Sequence, residues 1–194
     1  MSAPTELSMV ALKRLGRYLL GRPRLVFRYP FQEASHVDCY SDTDWAGCPK
    51  TRKSTSGGVI MLGEHILKTY SSTQPTISLS SGEAEFYGLV KAAGAGLGHQ
   101  SIMKDFAVHV PVRVWTDSSA AIGICNRQGL GKLRHLDTQM LWVQQRVRNN
   151  DLDLYYVPGD RNPADVFTKP NIPHERMDSL LRSMGCAFVE GRPA

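Results

Sequence analysis

Between His36 and Thr73 the chain carries three strand-like runs in succession, and an apolar-striped helix follows at once. HVDCYS (36–41) alternates with the two-residue period of a half-buried strand. GVIMLG and EHILKTYSS then flank Gly63–Glu64 as a hairpin, and Pro75 ends the second run. Strands joined this tightly pair antiparallel, whereas strands separated by helices add in parallel. An all-helical bundle and a purely parallel sheet are thereby excluded.

The rest of the chain supplies the helices and the parallel additions. Ser80 or Ser81 offers a helix N-cap, with Glu83 near the capping-box position. Leu79, Phe86, Leu89, Val90 and Ala93 stripe a helix to about Leu97, where Gly94, Gly96 and Gly98 read as its frayed end; residues 100–108 read as a second helix. VRVWT (112–116) is a short apolar strand that stops at Asp117, and 118–126 reads as a helix. The glycine-rich basic loop RQGLGKLRH, a helix over 137–148 and the strand LDLYYV (152–157) follow. Pro163 suits the first turn of a last helix. At the other end, residues 6–20 predict a helix that packs by Met9, Leu12, Leu15 and Leu19, and residues 24–28 a short strand. The whole is a mixed α/β pattern with an antiparallel start.

Hydrophobic residues at 42% and charged residues at 21% exclude a disordered chain, a collagen-like repeat and a coiled-coil rod. Apolar runs fall far short of a membrane span, so no membrane association is expected, and residues 1–10 lack the basic start of a secretory signal. The cysteines at 39, 48, 125 and 186 form no C-x-x-C pair, which argues against a zinc ribbon or disulfide scaffold and for a reducing compartment. The histidines show no metal-ligand spacing. Net charge is +5, and residues 1–35 hold six Lys/Arg against two acids, whereas 36–170 hold fourteen against thirteen. A local basic stretch runs from Arg127 to Arg148. Such a field suits nucleic acid and an ordinary solvated face equally.

Four acids stand out by position. Asp42 ends the first central strand, Glu85 lies in the first turns of the following helix, Asp117 ends the strand 112–116, and Asp165 follows the last strand. Ligands of open α/β sheets gather at the carboxyl ends of strands. Clustered carboxylates repel one another unless a divalent cation joins them, and an all-oxygen set suits magnesium or manganese rather than zinc. Two assignments stay open on spacing alone. Asp44 shares a strand face with Asp42, and Glu83 competes with Glu85, about 200° away on the helix.

The strings YSDTDWAGCPKTRKSTSG, SLSSGEAEFYGL, VWTDSSAAI and YVPGDRNPADVFTKP occur in this order and resemble the ribonuclease H domain of copia-type LTR retrotransposon Pol polyproteins. The match covers about residues 36–170, and ALKRLGRYLLGRPRLVFRY resembles the tail of the reverse transcriptase connection. The resemblance implies a connection-like segment over 1–35, a ribonuclease H domain over 36–170 and a helical tail over 171–194. It implies a mixed five-stranded sheet of order 3-2-1-4-5 flanked by helices. It implies cleavage of the RNA strand of RNA–DNA hybrids with two magnesium ions, for which manganese can substitute. Asp42, Glu85, Asp117 and Asp165 would be both catalytic residues and metal ligands, with Asp42 preferred to Asp44 because it directly ends the strand. Ser80, Ser81, Gly82 and Ser118 would meet the nucleic-acid backbone at helix N-termini, and Lys132 and Arg134 would reach it from the basic loop. The partners the resemblance implies are the hybrid and the reverse transcriptase portion of the same polyprotein; independently of the resemblance, the N-terminal apolar stripe, if exposed and not packed, would recruit a second copy and give a homodimer. The setting implied is intracellular, in a cytoplasmic particle or the nucleus. Unlike cellular ribonucleases H, the loop PGDRNP before Asp165 carries no histidine. The rival readings are another nuclease of the same fold and a catalytically weak connection domain that binds nucleic acid. A substrate panel separates the first, and magnesium dependence the second.

Overall fold

The computed structural model describes residues 4–22, 24–33, 35–131 and 141–191. In chain order the elements are α1 (Glu6–Gly21), β1 (Leu25–Phe27), β2 (Val37–Asp44), β3 (Thr55–Leu62), β4 (His65–Thr73), α2 (Ser81–Asp105), β5 (Val112–Thr116), α3 (Ser119–Asn126), α4 (Trp142–Arg148) and β6 (Asp153–Tyr156). Two short 3₁₀ turns (Gly159–Arg161 and Pro163–Phe167), α5 (His174–Ser183) and β7 (Cys186–Phe188) complete it.

The strand-like runs of 36–73 pair as the antiparallel meander β2–β3–β4, and β5 and β6 add in parallel beside β2. The sheet order β4-β3-β2-β5-β6 is 3-2-1-4-5 when its five strands are numbered along the chain. This is the mixed α/β, ribonuclease H-like sheet that the motif strings imply.

Alternation divides the core between the two faces of the sheet. Val37, Cys39, Ile60, Val112 and Val114 pack with Phe86, Leu89, Ala92 and Ala93 of α2. Val59 and Met61 of β3 point the other way, onto Leu181, Met184 and Cys186. Burial of one such aliphatic or aromatic side chain contributes roughly 1.5–3 kcal/mol. Cys39 lies at the sheet–α2 contact, where burial first and the charge of Asp38 second push its thiol up to about 12. Among the described residues no helix is long and apolar enough to cross a membrane.

Several elements differ from the sequence expectation. Gly94, Gly96 and Gly98 do not end α2, which runs unbroken to Asp105. A Cβ at Gly96 would stand 2.5 Å from Cys39 Sγ and 2.8 Å from Val112 Cγ1, so the glycine is there for close helix–sheet contact. Gly96→Ala should therefore destabilise the fold by about 1–3 kcal/mol, despite the usual gain of Ala in a helix. The midpoint of urea unfolding measures this, and an unchanged or higher midpoint would refute the packing argument.

Pro163 opens a single 3₁₀ turn rather than a long helix, and the last helix starts at His174. The C-terminal segment is not only helical, because β7 pairs with β1 as a separate two-stranded ribbon. No side chain of α1 is buried, and Met9, Leu12, Leu15 and Leu19 are each about half exposed, so the expected packing of that stripe is not found. The N-terminal segment is tied instead by Tyr18 edge-on to Phe188 and by Arg22 paired with Asp178. The first part of the helix expected over 137–148 lies outside the described residues, and α4 covers the remainder from Trp142.

Candidate active site

The parallel strands β2 and β5 end on the same edge of the sheet. Their register sets Tyr40 beside Trp115, so Asp42 and Asp117 stand level two residues further on. Glu85 reaches this edge from the second turn of α2. The start of that helix is fixed by Ser80, whose hydroxyl accepts from the Glu83 N–H at 3.2 Å. The buried Glu83 carboxylate in turn accepts from the Leu79 N–H at 2.9 Å. Glu83 is thus spent on the helix start, and the opposite helix direction carries Glu85 to the other acids.

One carboxylate oxygen from each of Asp42, Glu85 and Asp117 lies within 4.8 Å of the others. Glu85 Oε2 is buried without a hydrogen-bond partner. Burial pushes the Glu85 carboxyl up to about 9, with the charges of Asp42 and Asp117 adding to the rise. Burial also pushes Asp42 up to about 6, against the opposing hydrogen bond from Thr168 and with Asp165 adding to the rise. Asp117 is raised mainly by burial. An oxygen-only set with an orphaned buried oxygen and crowded charge fits a hard divalent cation. Asp44 is not in this group. Its carboxylate instead fills the space beside Gly47 in the turn after β2, where a Cβ would collide with it.

Asp165 reaches the same edge by a different route. Asn162, fully buried, donates from Nδ2 to Ser41 O at 2.9 Å and accepts from the Ala164 N–H at 3.1 Å, which pins the 3₁₀ turn to the end of β2. The turn can lie against β3 because residue 57 is glycine: a Cβ there would meet Thr168 Cγ2 at 2.7 Å and Ala164 O at 2.9 Å. Asp165 is itself fully buried and lies between cations. Lys169 Nζ is 2.7 Å from its Oδ1 and also 3.7 Å from Asp42 Oδ1. Arg176 of α5 pairs with the other Asp165 oxygen and donates to Gly159 O at 2.6 Å. Thr168 donates its hydroxyl to Asp42. Burial lowers the Lys169 ammonium, but the hydrogen bond to Asp165 and the surrounding carboxylates outweigh it and raise it.

Asp42, Glu85 and Asp117 therefore converge, while Asp165 adjoins them in an ion pair with its own chain. Sequence reasoning assigned no role to Asn162, Thr168, Lys169 or Arg176. Lys169 stands four positions after Asp165, the spacing of a helical ion pair, and Asn162 occupies a cap position before Pro163. Nothing in the sequence pattern singled out Arg176.

Of the residues expected to meet nucleic acid, Ser80, Ser81, Gly82 and Ser118 stand at the starts of α2 and α3, the helices that follow β4 and β5. Ser80 caps α2, Ser81 is exposed, and a Cβ at Gly82 would lie 3.1 Å from Ala120 Cβ, so the N-termini of α2 and α3 abut. Ser118 caps α3, its hydroxyl accepting from the Ala121 N–H at 3.2 Å. Lys132 and Arg134 lie outside the described residues. Trp115 is held within the fold by its Nε1 donating to Asp38 Oδ1 at 2.7 Å and by stacking on Tyr155, whereas Trp45 is half exposed.

An acid-lined carboxyl edge on a 3-2-1-4-5 sheet defines a ribonuclease H-like fold class. Comparison with known proteins then gives relatives: the homologues of this chain include retrovirus-related Pol polyproteins of plant transposons. The Pol polyprotein from transposon RE1 of Arabidopsis thaliana is 28% identical over 173 residues, which is 88% of this chain and 12% of that protein. The Pol polyprotein from transposon RE2 of the same plant is 28% identical over 174 residues, with the same two coverages. The chain thus spans about an eighth of the length of these curated relatives. Among solved structures, the N-terminal RNase H domain of a Mycobacterium tuberculosis protein, fused to maltose-binding protein, overlaps 77% of this chain and 99% of its own at a TM-score of 0.47 and 21% identity. No family model matches the chain.

Proposed function

We propose that this chain is the ribonuclease H portion of a retrotransposon reverse transcriptase and hydrolyses the RNA strand of RNA–DNA hybrids. The observation that carries the reading is the convergence of Asp42, Glu85 and Asp117, with Asp165 adjoining, at the carboxyl edge of the sheet. These four acids would hold two divalent ions, magnesium or manganese in its place. Such ions, when bound, polarise a phosphate and lower the pKa of a coordinated water.

The chain's own residues do the rest. Asp42 stands between the Glu85–Asp117 side and the Asp165 side of the cluster, so its carboxylate is the one shared by both. The abutting N-termini of α2 and α3, with Ser80, Ser81, Gly82 and Ser118, offer N–H groups and hydroxyls to a nucleic-acid backbone. Lys132 and Arg134, in the basic sequence stretch, are the further cations we assign to phosphate contact. Selection of the RNA strand would rest on the 2′-hydroxyl and on the wide, shallow minor groove of an A-like duplex.

The test is a panel of labelled substrates with and without magnesium. The expected result is magnesium-dependent cutting of the RNA strand of the hybrid alone, with duplex DNA and single strands intact. Equal cleavage of duplex DNA would assign the chain to another nuclease class of the same fold. The pairing of Asp165 with Lys169 and Arg176 favours a second reading, a catalytically weak domain that binds nucleic acid. Its signature would be hybrid binding without magnesium-dependent cutting.

A further inference from the structure

Asp165 and Asp42 share one ammonium. Lys169 Nζ lies 2.7 Å from an Asp165 oxygen and 3.7 Å from an Asp42 oxygen, and Arg176 takes the remaining Asp165 oxygen. The other side of the cluster differs. There Glu85 Oε2 is buried without a partner, and Asp42, Glu85 and Asp117 each present an oxygen within 4.8 Å of the others. Four acids that could serve two ions are thus divided into one open half and one half closed by the chain's own cations.

We propose that Lys169 is a tethered cation that holds the place of the second divalent ion, so that the first ion binds freely and the second binds only when Lys169 withdraws. This inference rests on the reading of the four acids as divalent-ion ligands and deepens it by making the two positions unequal. A tethered group competes at an effective concentration on the order of millimolar, so it weakens the apparent affinity of the second position without any change in the carboxylates themselves. Withdrawal is open to it, because the Lys169 side chain is 42% exposed and lies just past the Pro163–Phe167 turn rather than in the core. Arg176, by contrast, is anchored to Gly159 O as well as to Asp165 and stays as a fixed counter-charge.

The experiment uses manganese alone, without nucleic acid, and counts bound ions on the full chain by electron paramagnetic resonance. The wild-type chain should bind one ion at least about tenfold more tightly than a second. Lys169→Gln should tighten the second step by about tenfold or more and leave the first nearly unchanged, while Lys169→Arg, which keeps the charge, should leave the second step weak. On the wild-type chain, the Lys169 ammonium resonance should move with the second equivalent of magnesium and not with the first. This last readout needs no variant, so it stands even if Lys169→Gln fails to fold. Two equal binding steps in the wild type, a Lys169→Gln isotherm superimposable on it, or an ammonium resonance that never responds would each overturn the inference. Absence of any ion binding would remove the metal reading as well, whereas two equal steps would remove this inference alone.

Discussion

Asp42→Asn should lower hybrid cleavage by about a thousandfold or more, roughly 4 kcal/mol of barrier, while the chain stays folded. The carboxylate is the member of the cluster that adjoins both Glu85 and Asp117 on one side and Asp165, through Lys169, on the other. An amide keeps an oxygen to accept from Thr168, so the hydrogen bond seen at this position survives. It also removes one like charge from a buried group, so the melting temperature in chelator should be equal or higher. Asp44→Asn, at the end of β2 with its side chain turned to Gly47, should keep activity within about twofold, since a partly exposed polar change outside the acid cluster has little effect. Hybrid cleavage and thermal melting of the two variants, run side by side, check both halves. An active Asp42→Asn with an inactive Asp44→Asn would mean that the wrong carboxylate of the Y-S-D-T-D string has been assigned.

The second large effect is on stability against pH in the absence of divalent ions. Glu85 is pushed up to about 9 and Asp42 to about 6, in each case chiefly by burial. Both groups hold their proton more tightly when folded than when unfolded, where ordinary values near 4 apply. Their contribution is therefore complete below about pH 4. It is lost as the pH climbs, first through the range of Asp42 and then through that of Glu85. In chelator the melting temperature should fall between pH 5 and pH 9 by on the order of 5 °C, at about 2–4 °C per kcal/mol for a chain of this size. Glu85→Gln should flatten the upper part of that decline. Saturating magnesium should act in the opposite sense, because ions bind the deprotonated acids and so stabilise more as pH rises. A melting temperature in chelator that rises from pH 5 to pH 9 would show that these carboxyls are not held protonated by the fold.

The strands were legible because their period is short and their boundaries are punctuated: Gly63–Glu64 and Pro75 bracket the hairpin strand. The end of α2 was not, because Gly96 is set by its contact with Cys39 and Val112, a tertiary demand with no local signature. β7 escaped notice for a similar reason, since three residues carry no alternation and CAF becomes a strand only beside β1. In the site, Glu85 and Asp117 could be located by counting from a helix start and a strand end, but Asp42 does not end its strand as expected: β2 runs on to Asp44, and Asp42 is marked out only by its convergence with Glu85 and Asp117. The state of Asp165 could not, because Arg176 comes from α5, beyond the boundary at 170 that the motif strings suggest. Lys169 was present in the FTKP string, but only the folded turn brings its ammonium to Asp42 as well as to its i−4 neighbour.

The β1–β7 ribbon joins Leu25–Phe27 to Cys186–Phe188, segments that enclose the whole central sheet between them. Loop-closure entropy makes such a pairing among the last contacts to form, after the meander and α2 have shortened the path between its ends. The ribbon's consequence is one of chain path: it brings the segment before the first sheet strand back against the segment after α5, so both ends of the described fold are tied to each other and, through Cys186, to the core under β3.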